Sequence, residues 1–331
     1  MVTAKKWVMK KHFQGAPKPA DFEMVEEQLP PIKDGQFLAE AVVWSVDPYN
    51  RAFAGNMPEG SQMIGFQAAK ILESKNSDFP VGAYINGHFG WRTHTVCDPN
   101  AGMGKPYVLP AEVQALPLSL SVGLLGMPGM TAYFGLLDLC KPKAGETLVV
   151  NAAAGAVGSA VGQIGKILGM RVIGYAGTED KVAWLKSVGF DHAFNYKKVD
   201  LDQSLSQAAP NGVDCFFDNV GGMFAITVYK HMNRYGRVTQ CGSISQYNKE
   251  KPDMVPAPFH FYTTLELTVR GLLASTFASQ YPPALTKMAG WTSQGLIKYQ
   301  ETTYHGFETM PQALIEQLEG KNNGKVVILP K

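Results

Sequence analysis

Residues 147–181, TLVVNAAAGAVGSAVGQIGKILGMRVIGYAGTEDK, hold the spacings with the clearest chemical consequence. A turn of the form Ala152-x-x-Gly155-x-x-Gly158 follows a short apolar run. It opens a stretch in which Val157, Val161, Ile164 and Leu168 recur at helical spacing. Small residues in such a turn let the backbone approach a diphosphate and let the helix pack close on its strand. The helix N-terminus then offers free N–H groups and a positive dipole end to an anion. A second apolar run, 171–175, completes a strand–helix–strand unit of about 30 residues. In that context the glycine pattern reads as a dinucleotide site; the alternative is an ordinary α/β turn with glycines for packing.

The end of the second strand bears on which dinucleotide. An NAD site usually places Asp or Glu there, about 20 residues on, for the ribose 2′-hydroxyl. Here the strand ends in Tyr175-Ala176-Gly177-Thr178, without a carboxylate, and Lys181 follows. An ammonium in that place can meet a 2′-phosphate, which favours NADP(H) over NAD(H). Glu179 and Asp180 beside it weigh against this, and the alternative for Lys181 is a solvated lysine in a first helical turn.

The rest of the chain must position these residues. Its 331 residues suit two domains, and 45% apolar content is enough for two cores. The formal charge of +2, with no long basic run, does not favour nucleic acid. The start, MVTAKKWVMKKHF, has no apolar signal core, and no stretch approaches the ~18 uninterrupted lipophilic residues of a membrane span. The end, VVILPK, carries no lipidation or retention signal. The expectation is a cytoplasmic protein without membrane partners. Cys97, Cys140, Cys215 and Cys241 are far apart in sequence, so nothing resembles a zinc knuckle; they are expected to be reduced, mostly buried thiols.

Residues 1–120 show short alternating runs, 37–46, 68–73, 82–86 and 91–96, separated by turn signals such as Asp34-Gly35, Asp47-Pro48 and Asn86-Gly87. This is an irregular, mostly β, barrel-like domain, with long loops at 60–65 and 99–110. A helix is expected over 130–139. Strands and helices alternate thereafter: helices at 181–188, 201–209, 224–232 and 282–294, strands at 192–195, 213–217 and 237–241. Gly, Asn and Ser follow the last two strands, as the ligand-binding carboxyl edge of a parallel sheet requires. The tail, with a strand near 297–300, a helix over 311–318 and a strand over 325–329, is too short for a domain and is expected to return to the first one.

This plan resembles the medium-chain dehydrogenase/reductase superfamily. The segments VDPY at 46–49, MPGMTAYFGLL at 127–137, NAAAGAVGSAVGQI at 151–164, FDNVGG at 217–222 and CGSISQYN at 241–248 are similar, in combination, to the prostaglandin reductase group. Members are also called leukotriene 12-hydroxydehydrogenases or alkenal/one oxidoreductases. The resemblance runs along nearly the whole chain. It implies an α/β fold with a GroES-like, mostly-β catalytic domain over 1–122, completed by 291–331, and a doubly wound Rossmann domain binding NADP(H) over 123–290. Zinc-dependent relatives carry Gly-His-Glu where this chain has Gly65-Phe66-Gln67, and no four-cysteine lobe follows, so no metal is expected.

The resemblance also carries cofactor contacts onto matching positions. Gly155, Ala156, Val157 and Gly158 correspond to the diphosphate turn. Lys181 and Tyr196 correspond to the 2′-phosphate pair, although Tyr196 alone also reads as a strand-end tyrosine. Asn219, the segment Cys241, Gly242, Ser243, Ile244, Ser245, Gln246 and Tyr247, then Leu272, Leu273 and Ala274, and finally Asn322, correspond to residues lining the adenosine, ribose and nicotinamide.

The implied reaction is reduction of the C=C bond of a lipid-derived α,β-unsaturated ketone or aldehyde, such as a 15-oxoprostaglandin or a 2-alkenal, with leukotriene 12-hydroxyl oxidation as a reverse reaction. Hydride delivery to the β-carbon builds enolate charge on the carbonyl oxygen, which calls for a hydrogen-bond donor aimed at it. Tyr247 is the candidate catalytic donor; a structural or cofactor-packing tyrosine is the alternative, and the cofactor ribose hydroxyl could donate instead. Tyr49 and Arg51 are candidate cleft residues, Arg51 for a lipid carboxylate unless it is a solvated surface arginine. Tyr262 and its neighbours 259–261 could line an apolar channel or pack a core. His88 and His94 lack ligand spacing and read as non-catalytic. A quinone reductase and a non-catalytic NADPH-binding protein are the competing functions. A homodimer, joined through Rossmann sheet edges, or a monomer is expected.

Overall fold

A computed structural model describes residues 2–102 and 104–331. The chain forms two compact units, Met1–Met127 with Glu301–Lys331, and Pro128–Gln300. The boundaries lie later than the expected 122/123 and 290/291. Val122 is buried with Val43, Ala68 and Val327 of the first unit. Lys298 is tied into the second: its N–H donates to Gln163 Oε1 at 2.8 Å and its carbonyl accepts from Gln163 Nε2 at 2.8 Å. Residues 297–300 are therefore not the expected strand, which starts at Glu301.

In the first unit, β1 (Thr3–Met9) and β2 (Phe22–Gln28) pair antiparallel from Thr3↔Gln28 to Met9↔Phe22. Then come β3 (Phe37–Val46), β4 (Gln67–Ser74), β5 (Tyr84–Gly87), β6 (His94–Cys97) and the short β7 (Tyr107–Val108). Loop 99–110, of which Met103 lies outside the described residues, thus contains a strand paired with β5. The sheet order is β14-β15-β3-β4-β5-β7, where β14 is Glu301–His305 and β15 is Lys325–Leu329, and β6 also pairs β3. The tail thus completes this sheet: β15 runs antiparallel to β3, with Val326 opposite Val46 and Ile328 opposite Trp44. Its core gathers Phe22, Trp44, Trp91, Phe307, Met310, Leu314 and Ile328. Lys325 is buried in it, with Nζ 3.2 Å from Asp47 Oδ1 and donating to Val46 O at 2.7 Å.

The second unit is a six-stranded parallel sheet of β8 (Thr147–Val150), β9 (Arg171–Ala176), β10 (His192–Asn195), β11 (Val213–Asp218), β12 (Met232–Gln240) and β13 (Thr268–Gly271), in the order β10-β9-β8-β11-β12-β13. The order reverses between β8 and β11, the doubly wound arrangement whose crevice opens at that switch point. The central strands β8, β9 and β11 are almost wholly buried, so β8 reads as a short run of β-branched and apolar residues. Helices α1 (Ala156–Ile167), α2 (Glu179–Ser187), α3 (Leu201–Ala208) and α4 (Gly222–Lys230) alternate with them. The helix expected over 130–139 is α-helical only over Met127–Phe134 and π-helical over Gly135–Cys140. Thr239 Oγ1 donates to Gly135 O at 2.6 Å, a side chain inserted where the helical ladder widens. Among the described residues no helix is long and apolar enough to cross a membrane.

Close packing of α1 on the sheet rests on glycine. A Cβ at Gly162 would lie 1.9 Å from Phe190 Cζ. We expect Gly162→Ala to force the Phe190 ring aside and cost about 1–3 kcal/mol of stability, read as a lower urea midpoint, with Phe190→Leu in the same chain recovering part of the loss.

Candidate cofactor and active site

The phosphate turn begins with backbone held in an uncommon conformation. Ala152 has φ +46°, in the left-handed region, and its carbonyl accepts from Gly155 N at 3.0 Å. The neighbouring Ala153 N–H donates to Tyr175 O at 2.9 Å, locking the turn to β9. Gly155 caps α1 without a side chain, leaving the first-turn N–H groups of Ala156, Val157 and Gly158 without intrahelical partners. A Cβ on Gly158 would meet Ala152 O at 2.6 Å and Ala153 Cα at 2.8 Å, so only glycine lets the helix start beneath the turn. The donors and the bare backbone suit a diphosphate.

At the far end of β9, Thr178 caps α2, its Oγ1 accepting from Lys181 N at 3.4 Å. The Lys181 ammonium is held below the usual lysine range, first by burial and then by the charge of Lys197. Lys197 Nζ lies 6.0 Å from the centre of the Tyr196 ring. A Cβ at Gly177 would meet the Tyr196 hydroxyl at 3.4 Å and Lys197 Cε at 3.6 Å, so the strand end is bare where these side chains gather. Glu179, which counted against NADP(H) in the sequence, is turned aside: it accepts from Asn195 Nδ2 at 2.9 Å and pairs with Lys198 at 3.1 Å. Two ammonium groups that raise each other's energy suit a phosphate dianion. Sequence reasoning passed over Lys197; its position directly after Tyr196, at the end of a strand beside β9, was the available signal.

The switch point is built from three turns. Asn151, at the end of β8, donates Nδ2 to Asp218 Oδ1 at 2.7 Å and accepts with its own Oδ1 from Asn219 N at 2.6 Å. Asn219 Nδ2 returns a bond to Asn151 O at 2.9 Å. Asp218 Oδ1 also takes Val220 N at 2.9 Å and Gly221 N at 2.8 Å, and the Asp218 carbonyl takes Cys241 N at 2.8 Å and Gly242 N at 3.2 Å. The 241–247 turn then folds back: Ile244 N donates to Asn219 O at 3.2 Å, and Ser245 Oγ to Val220 O at 2.7 Å. Gln246 turns outward, accepting from Asp253 N at 2.8 Å.

The Tyr247 hydroxyl accepts from Ser243 N at 3.2 Å, which leaves its own proton to donate. Burial, helped by Cys241 and Asp218, raises this phenol above its ordinary range, so it is protonated at neutral pH. Burial likewise pushes the Cys241 thiol up to about 12. Leu272, whose N–H donates to Gln240 O at 3.1 Å, and Ala274 are buried next to this edge, while the Leu273 side chain is exposed.

Asn322 belongs to the other unit, in the turn before β15, where its Nδ2 donates to Gly324 O at 2.8 Å. Tyr49, Phe66 and His88 cluster in that unit, with ring centres 6.3 Å apart for Tyr49 and His88 and 4.8 Å for Phe66 and His88. Burial holds His88 below the usual histidine range, and His94 pairs with Glu40 at 3.6 Å. Arg51 is not a solvated surface arginine: it lies over the Phe13 ring at 5.5 Å and donates to Gly15 O at 2.9 Å. Tyr262 packs edge-on against Tyr229 at 5.7 Å, within the core beneath α4. Gln67 spends its amide on Gly90 O at 2.8 Å. Among the described residues no group of His, Cys, Asp and Glu is arranged to hold a metal ion.

Comparison with known proteins adds the following. Residues 5–104 match the family model for the N-terminal domain of oxidoreductase, and residues 156–290 match that for zinc-binding dehydrogenase. The chain is 48% identical to prostaglandin reductase 1 of Rattus norvegicus over 99% of both chains. It is 37% identical to an NADP(+)-dependent 2-alkenal reductase of Nicotiana tabacum, covering 99% of this chain and 98% of the relative. The structure of CurA from Vibrio vulnificus in complex with NADPH superposes with a TM-score of 0.90 at 33% identity, over 99% of both chains.

One titration follows from the geometry. Burial pushes the Asp218 carboxyl above the ordinary carboxylate range, against the pull of Asn151 and of the Gly221 and Val220 N–H groups. The folded chain therefore keeps this proton at pH values where the unfolded chain has released it. The associated stability is full below the ordinary value of about 3.9 and is lost as pH rises through the raised one. We expect wild type to lose stability relative to Asp218→Asn as pH rises from about 4 toward neutrality, measured as urea midpoints of both proteins along a pH series.

Proposed function

We infer the reaction from the premise that the chain belongs to the zinc-independent medium-chain dehydrogenase/reductase family, in its prostaglandin reductase group. It is an NADP(H)-dependent oxidoreductase that reduces the C=C bond of α,β-unsaturated ketones and aldehydes. The residue assignments and the finer substrate are our own reading. The observation that carries them is the Tyr247 phenol, protonated and anchored at the carboxyl edge of β12 beside the switch point.

NADPH, when bound, supplies the hydride that the substrate's β-carbon receives. The N–H groups of Ala156, Val157 and Gly158 would hold its diphosphate, and Lys181, Lys197 and Tyr196 its 2′-phosphate. Asn219, the 241–247 turn, Leu272, Leu273 and Ala274 are the proposed walls for the remainder. Tyr247 Oη–H donates to the substrate carbonyl oxygen as negative charge builds there, a burden mild enough for a neutral donor. The substrates proposed are 15-oxoprostaglandins and long 2-alkenals, with leukotriene 12-hydroxyl oxidation as the reverse sense. We place the protein in the cytoplasm, in keeping with its four free thiols. We also propose a homodimer joined at β13, which ends the parallel sheet and is largely exposed. Sedimentation equilibrium is expected to give twice the chain mass; a single-chain mass would remove the dimer.

The assay follows NADPH oxidation with a 15-oxoprostaglandin, a long 2-alkenal and a quinone, beside the same reactions with NADH. Enone turnover preferring NADPH is expected. Lys181→Ala should cut kcat/KM with NADPH by about ten- to a hundredfold and leave the NADH value nearly unchanged. Tyr247→Phe should cut enone turnover by about a hundredfold while NADPH affinity holds. Unchanged turnover in Tyr247→Phe would pass the donor role to another hydroxyl, and quinone-only turnover in wild type would sink the enone assignment.

A further inference from the structure

Asp218 is buried completely, and its Oδ2 has no hydrogen-bond partner. A buried carboxyl with an unpartnered oxygen is costly, and such a group in a folded protein calls for an explanation. Its place in the fold supplies one. Asp218 ends β11 at the switch point, and its other oxygen collects donors from two segments, Asn151 from the β8 edge and Val220 and Gly221 from the following turn. Its carbonyl collects the N–H groups of Cys241 and Gly242, the root of the turn that bears Tyr247. The returning bonds from Ile244 and Ser245 also land on residues 219 and 220. The polar bonds that seat the 241–247 turn on the rest of the sheet edge therefore run through Asp218 or through backbone it fixes.

We propose that Asp218 is a positioning residue that joins the two halves of the cofactor groove, holding the Tyr247 turn in register with the phosphate turn that starts at Asn151. The proposal rests on the site assignment made above. It separates the groove into a dependent and an independent part. Lys181, Tyr196 and Lys197 stand on β9, β10 and α2, whose register comes from the β8–β9 and β9–β10 ladders. Nothing in that ladder passes through Asp218. The nicotinamide half alone hangs on the carboxyl.

The test measures binding of NADPH and of 2′,5′-ADP, which carries the adenosine with its 2′- and 5′-phosphates and lacks the nicotinamide half, by calorimetry on the full-length protein. Asp218→Ala is expected to weaken NADPH by about tenfold or more, the consequence of buried N–H groups left unsatisfied, while 2′,5′-ADP changes by less than about twofold. The kcat for a 2-alkenal falls by a similar factor with its KM nearly constant. Asp218→Asn keeps an oxygen for the same three donors and restores kcat to within about threefold of wild type. Should Asp218→Ala fail to fold, Asn151→Ala leaves the carboxyl in place but unties it from β8, and is expected to show the same selective loss of NADPH. Equal weakening of both ligands, or of neither, overturns the proposal, as does Asp218→Asn as impaired as Asp218→Ala. Wild type that binds NADPH but turns over no enone would remove the reaction and leave the binding comparison standing, so the two readings fail separately.

Discussion

A parallel sheet that reverses its winding leaves backbone donors and acceptors exposed at the strands' carboxyl ends, and buried polar groups must be satisfied. Here that requirement is met at one point, between β8 and β11. Asn151 donates to Asp218, and the two accept from the turns after β11 and β12. The crevice is walled by these turns, so the same bonds that satisfy the fold also shape the site. Stability and function are hard to separate at such a place, where the unpartnered Asp218 oxygen lies buried within the same network.

Charge in the second unit is arranged with the same economy. Positive groups gather at the outer end of the groove, where Lys197 and burial depress the Lys181 ammonium. At the switch-point end burial shifts the Tyr247 phenol, the Cys241 thiol and the Asp218 carboxyl toward their protonated forms.

Much of this was legible in the sequence, and the remainder was not for identifiable reasons. Strand β3 could be read to its ends because its largely apolar run, broken by Glu40 and Ser45, lies between the turn signals Asp34-Gly35 and Asp47-Pro48, and the phosphate turn because glycine spacing lies within one short segment. Strand β1 was hidden by its lysines, TAKKWVM, whose solvated partners are charged residues of β2. The π-helical turn depends on Thr239, far along the chain from Gly135, and no local pattern announces it. Ala152 runs against propensity, since alanine seldom adopts positive φ. FDNVGG stood out as a motif, yet no role was assigned to its carboxylate; that it is buried and gathers three strand ends is a property of topology. Lys197 and Glu179 trade places in the argument for the same reason: adjacency in sequence placed Glu179 near the phosphate site, and adjacency in space placed Lys197 there.

The four free thiols have a bearing on how long the protein survives its own chemistry. Unsaturated aldehydes and ketones alkylate cysteine, and the species attacked is the thiolate. With Cys241 pushed up to about 12 and Cys97 to about 11, the ionised fraction at neutral pH is of order one part in ten thousand to a hundred thousand. Cys215 is shifted in the same direction, and Cys140, which hydrogen bonding draws the other way, is fully enclosed. Cys241, at the root of the 241–247 turn, thereby resists alkylation by the unsaturated carbonyl compounds that the protein reduces.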